Sequence, residues 1–326
     1  MKLINPKVEI IKQEESDELC GIFKQIERAG RTCYKSEDKI TDDSAKAFVE
    51  NLIKRQHFAM LEHGTVYLID INWDRSKLEK YKNNKYSRYN KQYLEKDEVE
   101  DGNDYDVSYK YAYYVTTNYR VLVENNWLDD LRYICEPTEY HEKRITLKFT
   151  TNIGVTREGN RMRANSIAEE STRYCNYTKD KFGGEINICP PVWINGEIGM
   201  LQTLDESEWM NWINVAIRDG NNPDYFNCDA ITWYGMACAF AQVAYRNLIR
   251  LGWTPQQARE VLPLATKSEV VYTAFPHQWR HWFDLRLFGT TGKPHPNMEQ
   301  ISELAKEVLI KEDLWKLIYP DTINNN

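Results

Sequence analysis

Thr156–Tyr174 reads TREGNRMRANSIAEESTRY, a short stretch that concentrates Arg157, Arg161, Arg163 and Arg173 among Ser166, Ser171 and Thr172. Guanidinium is permanently charged and meets phosphate in a two-pronged geometry. Hydroxyls and turn N–H groups add further donors. The spacing predicts a polar helix starting near Thr156, with Arg157 and Arg161 four residues apart on one face. The plain alternative is a solvated face neutralised by Glu158, Glu169 and Glu170. Two features favour an anion cradle. The segment directly follows a strand pattern, and it lacks a continuous apolar stripe.

That strand is Lys143–Thr150, where Ile145, Leu147 and Phe149 alternate with Thr146, Lys148 and Thr150. Period-two alternation predicts a strand buried on one side. Upstream, Ala47, Phe48, Leu52 and Ile53 give a helix over Ser44–Gln56, and a strand follows at Thr65–Ile71. Residues 74–106 are rich in Lys, Asn, Tyr, Asp and Glu and read as an exposed excursion, with a short helix near Asn118–Asn126. Downstream come helices at Glu206–Arg218 and Ala230–Leu251, the second capped by Gly252. Thr254-Pro255-Gln256-Gln257 opens a short helix as a capping box, stopping at Pro263. A strand at Glu269–Thr273, a helix at Gln278–Leu287, a Gly/Pro loop and a final helix complete the chain. The class is α+β, a mixed sheet flanked by helices with long C-terminal helices.

The 326 residues are 42% hydrophobic, enough for a large core, and carry a formal net charge of −7. That charge opposes general nucleic-acid or acidic-membrane binding, so an anionic ligand needs a local arginine cluster. The seven cysteines include no CxxC pair, which argues against a zinc knuckle or redox pair and suits a reducing, cytoplasmic setting. No apolar run approaches the ~20 residues that span a bilayer.

Arg161-Met162-Arg163, Ser166, Ser171, Arg173 and Tyr174 stand at the spacing RxRxxSxxxxSxRY. In this pattern the chain resembles the flavin-dependent thymidylate synthases (the ThyX family), whose motif is RHRxxSxxxxSxRY. Three flanking pieces are similar to family segments in the same order: His57 to His63, Gly252 to Pro263, and Trp282-Phe-Asp-Leu-Arg286. The resemblance covers about 20–72 and 140–305, leaving 74–135 as an insertion in a single catalytic domain, 1–326.

The resemblance implies a homotetramer with active sites shared between subunits. It implies conversion of dUMP to dTMP, with methylenetetrahydrofolate as carbon donor, NADPH as reductant and FAD as cofactor. Carried over by position, Thr65, Arg161, Met162, Arg163 and Glu169 would contact FAD, and His277 and His281 fall where polar flavin contacts are placed. Glu158, Arg161, Glu169, Glu170, Ser171, Thr172, Arg173 and Arg259 would hold the nucleotide. Arg286 would face the pyrimidine and favour its N3-deprotonated form, enriching electron density on the ring without a cysteine nucleophile. Cys175 lies beside the motif with nothing nearby to activate it. Met162 replaces the motif histidine and cannot carry charge, so weaker flavin retention is expected.

His277 and His281 have metal-pair spacing but no third ligand, and no metal is expected. Two other functions compete. One is a paralogue with altered activity, transferring a hydroxymethyl group or only binding a nucleotide. The other is a single-stranded nucleic-acid binder through residues 80–93, where cations interleave with aromatics.

Overall fold

A computed structural model describes residues 1–14, 19–73, 75–101, 104–162, 165–194, 206–219 and 229–320. Along the chain run β1 (Lys2–Leu3), β2 (Lys7–Ile10), α1 (Leu19–Tyr34), α2 (Ser44–Lys54) and β3 (Thr65–Asn72). Then come β4 (Arg88–Asp101), β5 (Asp104–Asn118), α3 (Tyr119–Glu124), β6 (Ile145–Asn152), α4 (Ile153–Gly159), β7 (Ser166–Glu169) and β8 (Asn187–Ile188). The remainder is α5 (Glu206–Asp219), α6 (Ala230–Arg250), α7 (Pro255–Ala258), β9 (Lys267–Ala274), α8 (Pro276–Arg286), α9 (Pro296–Lys311) and α10 (Trp315–Ile318).

The central sheet has the order β2-β6-β9-β7 and is antiparallel throughout, and a second antiparallel sheet has the order β3-β5-β4. Among the described residues, the parallel pairing is the short β1–β8 contact. The fold is α+β, as the sequence patterns predict, with both larger sheets antiparallel instead of mixed.

β6 is buried along its apolar face and, at Thr146, on the other face too, where Lys148 and Thr150 stay half-buried. Its Leu147 and Phe149 pack toward Trp279, Trp282 and Phe283 of α8, where both indoles find partners. Trp279 Nε1 donates to the Ile145 carbonyl at 3.1 Å and Trp282 Nε1 to Ser302 Oγ at 3.1 Å. The threonine face lies under α1. Thr146 Oγ1 accepts from Gln25 at 3.0 Å and meets Thr273 Oγ1 at 2.9 Å. Thr273 in turn meets His63 Nδ1 at 2.8 Å. A polar alternation reads as solvent-facing, yet the hydroxyls of Thr146 and Thr273 are satisfied internally, which removes most of the cost of their burial.

The second sheet corrects the excursion expected over residues 74–106. β4 and β5 form a long hairpin on β3, with Tyr113 opposite Lys91 and Tyr111 opposite both Tyr93 and Asn72. The core beneath it joins Val66, Leu68, Leu78, Tyr81 and Val115 to α1 and α2. Ala168 and Val271 of the central sheet belong to the same cluster.

α4 ends sooner than the arginine spacing predicts. Asn152 caps it by accepting from Val155 N–H at 3.0 Å, and the chain leaves the helix at Gly159. Arg161 therefore lies beyond the helix and shares no helical face with Arg157. Past Gly159 the chain must reach β9, which it joins through β7, Ser166 pairing with Thr273 and Glu169 with Val270. A Cβ on Gly159 would stand 2.5 Å from Tyr272 Oη and 2.8 Å from Trp282 Cη2. Gly159→Ala is expected to lower stability by about 1–3 kcal/mol through overpacking. A thermal melt equal to the parent's would refute that.

Candidate functional site

The strand-to-turn passage at the end of β7 builds the site. Glu170 N–H donates to the Glu269 carbonyl at 2.7 Å, and Ser171 N–H donates to the Cys33 carbonyl at 2.9 Å. These bonds tie the turn to β9 on one side and to α1 on the other. Ser171 Oγ accepts from Arg173 N–H at 3.3 Å, and the Ser171 carbonyl accepts from Cys175 N–H at 3.0 Å. The residues after Glu169 are thus held in a compact turn that buries Glu170 and leaves Ser171, Thr172 and Arg173 at the surface.

That turn opens on a cleft of about 610 Å³. Its walls carry Arg157, Glu169, Glu170, Ser171, Thr172, Arg173 and Arg259, together with the Leu262–Leu264 turn. Arg259 Nη1 approaches Thr172 Oγ1 at 3.4 Å, and its Nε lies 3.5 Å from Glu260. Arg157 and Arg173 form no ion pair among the described residues, and both are exposed. Arg173 rests on the ring of Tyr174 at 5.5 Å. Three guanidinium groups and two hydroxyls thus converge where local carboxylates neutralise them incompletely.

Beneath the floor lies a buried charge network. Lys267 Nζ sits 2.7 Å from Glu170 Oε2 and 2.9 Å from Glu269 Oε1, and Glu269 also meets Lys35 at 2.5 Å and Lys148 at 2.6 Å. Burial raises the Glu170 carboxyl above its ordinary value, against the pull of Lys267 and Lys35. Glu269 is held well below the usual carboxylate range: burial opposes its charge, but Lys267, Lys35 and Lys148 outweigh it. Lys267 is likewise raised, its two carboxylates overcoming the cost of burial.

Glu169 is fixed differently, accepting from Asn160 Nδ2 at 2.8 Å and from Ser268 Oγ at 3.1 Å. Glu158, beside Arg157 on α4, holds Arg286. The Arg286 Nη2 donates to the Glu158 carbonyl at 3.0 Å, and Nη1 stands 3.6 Å from the Glu158 carboxylate. Arg286 is not in the wall of the cleft, but its anchor is one residue from Arg157.

The residues expected to contact FAD are placed apart. Arg161 is exposed past α4, and Arg163 lies outside the described residues. Met162 is buried in the core cluster that also holds Tyr272, Trp279 and Trp282. Thr65 lines a separate cavity of about 390 Å³ with Arg144 and Gln13. His281 is exposed, and His277 is engaged by Arg88 at 2.6 Å on Nε2 and by Glu142 at 3.2 Å on Nδ1. Among the described residues, these groups of one chain do not enclose a flavin.

His63 is fully buried, and burial, reinforced by Arg144, lowers it to about 3, so it is neutral. His57 accepts or donates at Nδ1 with Tyr34 Oη at 3.0 Å. Burial pushes the Cys175 thiol up to about 12, with Glu170 adding to the effect. That thiol is no nucleophile at neutral pH. No group of three potential metal ligands occurs among the described residues, and no helix there is long and apolar enough to cross a membrane.

Sequence reasoning missed two features of the site and gave a third, Arg157 of the anion cradle, no ligand role. Arg157 lines the cleft although it lies outside the motif. Lys267 sits beneath Glu170 from a strand 97 residues away. Asn160 orients Glu169. The first was legible as one more arginine in the quoted stretch, but the other two depend on pairing between β7 and β9.

The chain aligns with the UMP/dUMP methylase PolB from Streptomyces cacaoi bound with 5-Br dUMP at 15% identity and a TM-score of 0.39, covering 95% of this chain and 93% of that one. It aligns with thymidylate synthase X from Helicobacter pylori with FAD and dUMP at 11% identity and a TM-score of 0.38, covering 96% and 97%. No curated protein sequence matches it. The family model for the thymidylate synthase complementing protein matches residues 139–312, over half the chain, and takes in the arginine turn, β9 and α8. The chain therefore belongs to the thymidylate synthase complementing protein family, the ThyX family.

Proposed function

We propose that the arginine cleft binds the phosphate of a uridine nucleotide and that the protein is an FAD-dependent thymidylate synthase. On this reading it converts dUMP to dTMP, with methylenetetrahydrofolate as carbon donor and NADPH as reductant. The carrying observation is the convergence of Arg157, Arg173, Arg259, Ser171 and Thr172 on one cleft. A dianionic phosphate supplies the counter-charge that these groups lack. The pyrimidine then extends toward Arg286, whose guanidinium stabilises negative charge on the ring while Glu158 holds it in place.

The flavin belongs beside the nucleotide, on the surface carrying Arg161 and Glu169, where it would supply the reducing equivalents. Because the described residues of one chain do not enclose it, the reading requires further copies of the chain to complete the site, as a homotetramer does. Residues 1–326 act as one catalytic domain with the hairpin sheet as its insertion.

Purified protein should show a flavin absorption band near one equivalent per chain and release tritium from 5-tritiated dUMP only when the folate and NADPH are present. Release without methylated product would indicate hydroxymethyl transfer instead, which mass analysis of the nucleotide distinguishes. Absence of both flavin and nucleotide binding would overturn the proposal.

A further inference from the structure

The hairpin sheet carries a feature that the nucleotide cleft does not use. On one face of β4 and β5, Tyr93, Tyr109, Tyr111 and Tyr113 form a continuous ladder. Ring centroids are 6.1 Å apart for Tyr93–Tyr111, 6.4 Å for Tyr93–Tyr109 and 6.2 Å for Tyr111–Tyr113. The inner end is buried, but Tyr93 and Tyr109 at the outer end are 56% and 43% exposed. Lys91 lies on the same face, 3.6 Å from the Tyr111 ring centroid, and Lys82 lies 5.0 Å from that of Tyr89. Lys85 stands over Tyr86 at 4.9 Å. None of these three lysines has a carboxylate partner among the described residues. Their neighbours Lys80, Arg88 and Lys110 pair with Asp130, Glu142 and Glu95.

We propose that this face binds single-stranded nucleic acid, with bases stacking on Tyr93 and Tyr109 and phosphates following Lys82, Lys85 and Lys91. Every base has a π-face, so exposed rings on a sheet make a sequence-tolerant platform. Unpaired lysines beside them supply the backbone charge. The face runs past the register shift between Tyr93 and Glu95 as far as Tyr109, opposite Lys96, and Glu95 and Asp97 on either side of Lys96 open an acidic stretch that repels phosphate. A second copy is the poorer occupant, because a twofold contact of this face with itself sets unpaired lysines against unpaired lysines.

The test uses the full-length protein and short labelled oligodeoxythymidylate and oligouridylate, read by fluorescence anisotropy with excess dUMP occupying the cleft. Binding should weaken with salt along a log–log slope of about −2, three phosphate contacts at roughly −0.7 each. Tyr93→Ala and Tyr109→Ala should each weaken binding by about tenfold or more. Lys82→Gln with Lys91→Gln should flatten the slope to about −0.7. Tighter binding of one oligomer tells whether DNA or RNA is the preferred strand, and both outcomes support the site. Binding of neither oligomer, or tyrosine variants that bind like the parent, overturns it. So does a fall in sedimenting mass of the tyrosine variants without any oligomer binding, which would assign the face to a second copy.

Discussion

Lys267→Met is expected to destabilise the protein by about 3–5 kcal/mol, the range for leaving one member of a buried ion pair uncompensated. Lys267 is the ion partner of Glu170, whose side chain is 1% exposed, whereas Glu269 keeps Lys35 and Lys148. The loss therefore falls mainly on Glu170. Its second oxygen is already buried without a hydrogen-bond partner, so the variant carboxylate keeps only the weaker pull of Lys35 and takes up a proton on folding. That fixes the sign of the pH dependence. A carboxyl whose folded-state value is raised carries its full penalty above that value and none below the unfolded value, where both states are protonated. Burial already raises Glu170 from the ordinary 4.5 in the parent, and removing Lys267 raises it further. The deficit of the variant relative to the parent is thus largest near neutral pH and shrinks as pH falls toward 4.5. Glu269 works the other way, since its depressed value gives stability above 4.5 that is lost on acidification. Lys267 is the largest of the three lysine pulls on Glu269, so the variant keeps only part of that stability, and this difference also shrinks on acidification. Thermal melts at several pH values read the effect, a fall on the order of 5–10 °C near neutrality. Adding Glu170→Leu should recover most of it, because an apolar pair of similar volume replaces the stranded charge. A deficit independent of pH, or no recovery in the double variant, would refute this account.

Lys267 also illustrates what one sequence conveys. The motif spacing brings Ser171, Thr172 and Arg173 together, because a turn and its phosphate-matching groups are local, whereas Arg259 joins them only through the family resemblance of Gly252 to Pro263. The charge beneath them is invisible at that level, since Lys267 and Glu170 are far apart in sequence and meet only through the pairing of β7 with β9. β7 itself was hidden for a similar reason. Ser166-Ile-Ala-Glu169 has one large apolar residue, too weak an alternation to outweigh the helical spacing of Arg157 and Arg161. On the hairpin, Lys, Asn, Asp and Glu obscured the tyrosines at every second position from Tyr109 to Tyr113, which stack on one another and need few aliphatic residues. The threonine face of β6 was expected to meet solvent because hydroxyls are polar. Thr146 on that face is buried because Gln25 and Thr273 complete its hydrogen bonds, and neither is a sequence neighbour. Arg286 is the remaining case: its helix was legible, while its contact with Glu158 joins segments more than a hundred residues apart.

Arg173→Ala is expected to weaken dUMP binding roughly 10- to 100-fold with little change in thermal stability. Hydrogen bonds to charged groups contribute about 1.5–3 kcal/mol net, which sets that range. The side chain is exposed and its one aromatic neighbour is Tyr174. Truncating it therefore removes no buried contact, and surface changes of this kind stay within about 0.5 kcal/mol. This separation of binding from folding is what makes Arg173 the better probe. Arg259 touches Thr172 and Glu260, so its loss would disturb the wall as well as the ligand. Arg173→Lys should recover only part of the affinity, since an ammonium keeps the charge but not the two-pronged match to phosphate. Raising the salt concentration should weaken the parent more than the alanine variant, because the lost interaction is an exposed charge pair. Calorimetric titration of dUMP into parent, Arg173→Ala and Arg173→Lys decides the matter. If all three bind alike while their melts coincide, the phosphate does not sit in this cleft, and the guanidinium groups of Arg157 and Arg173 are only a hydrated surface.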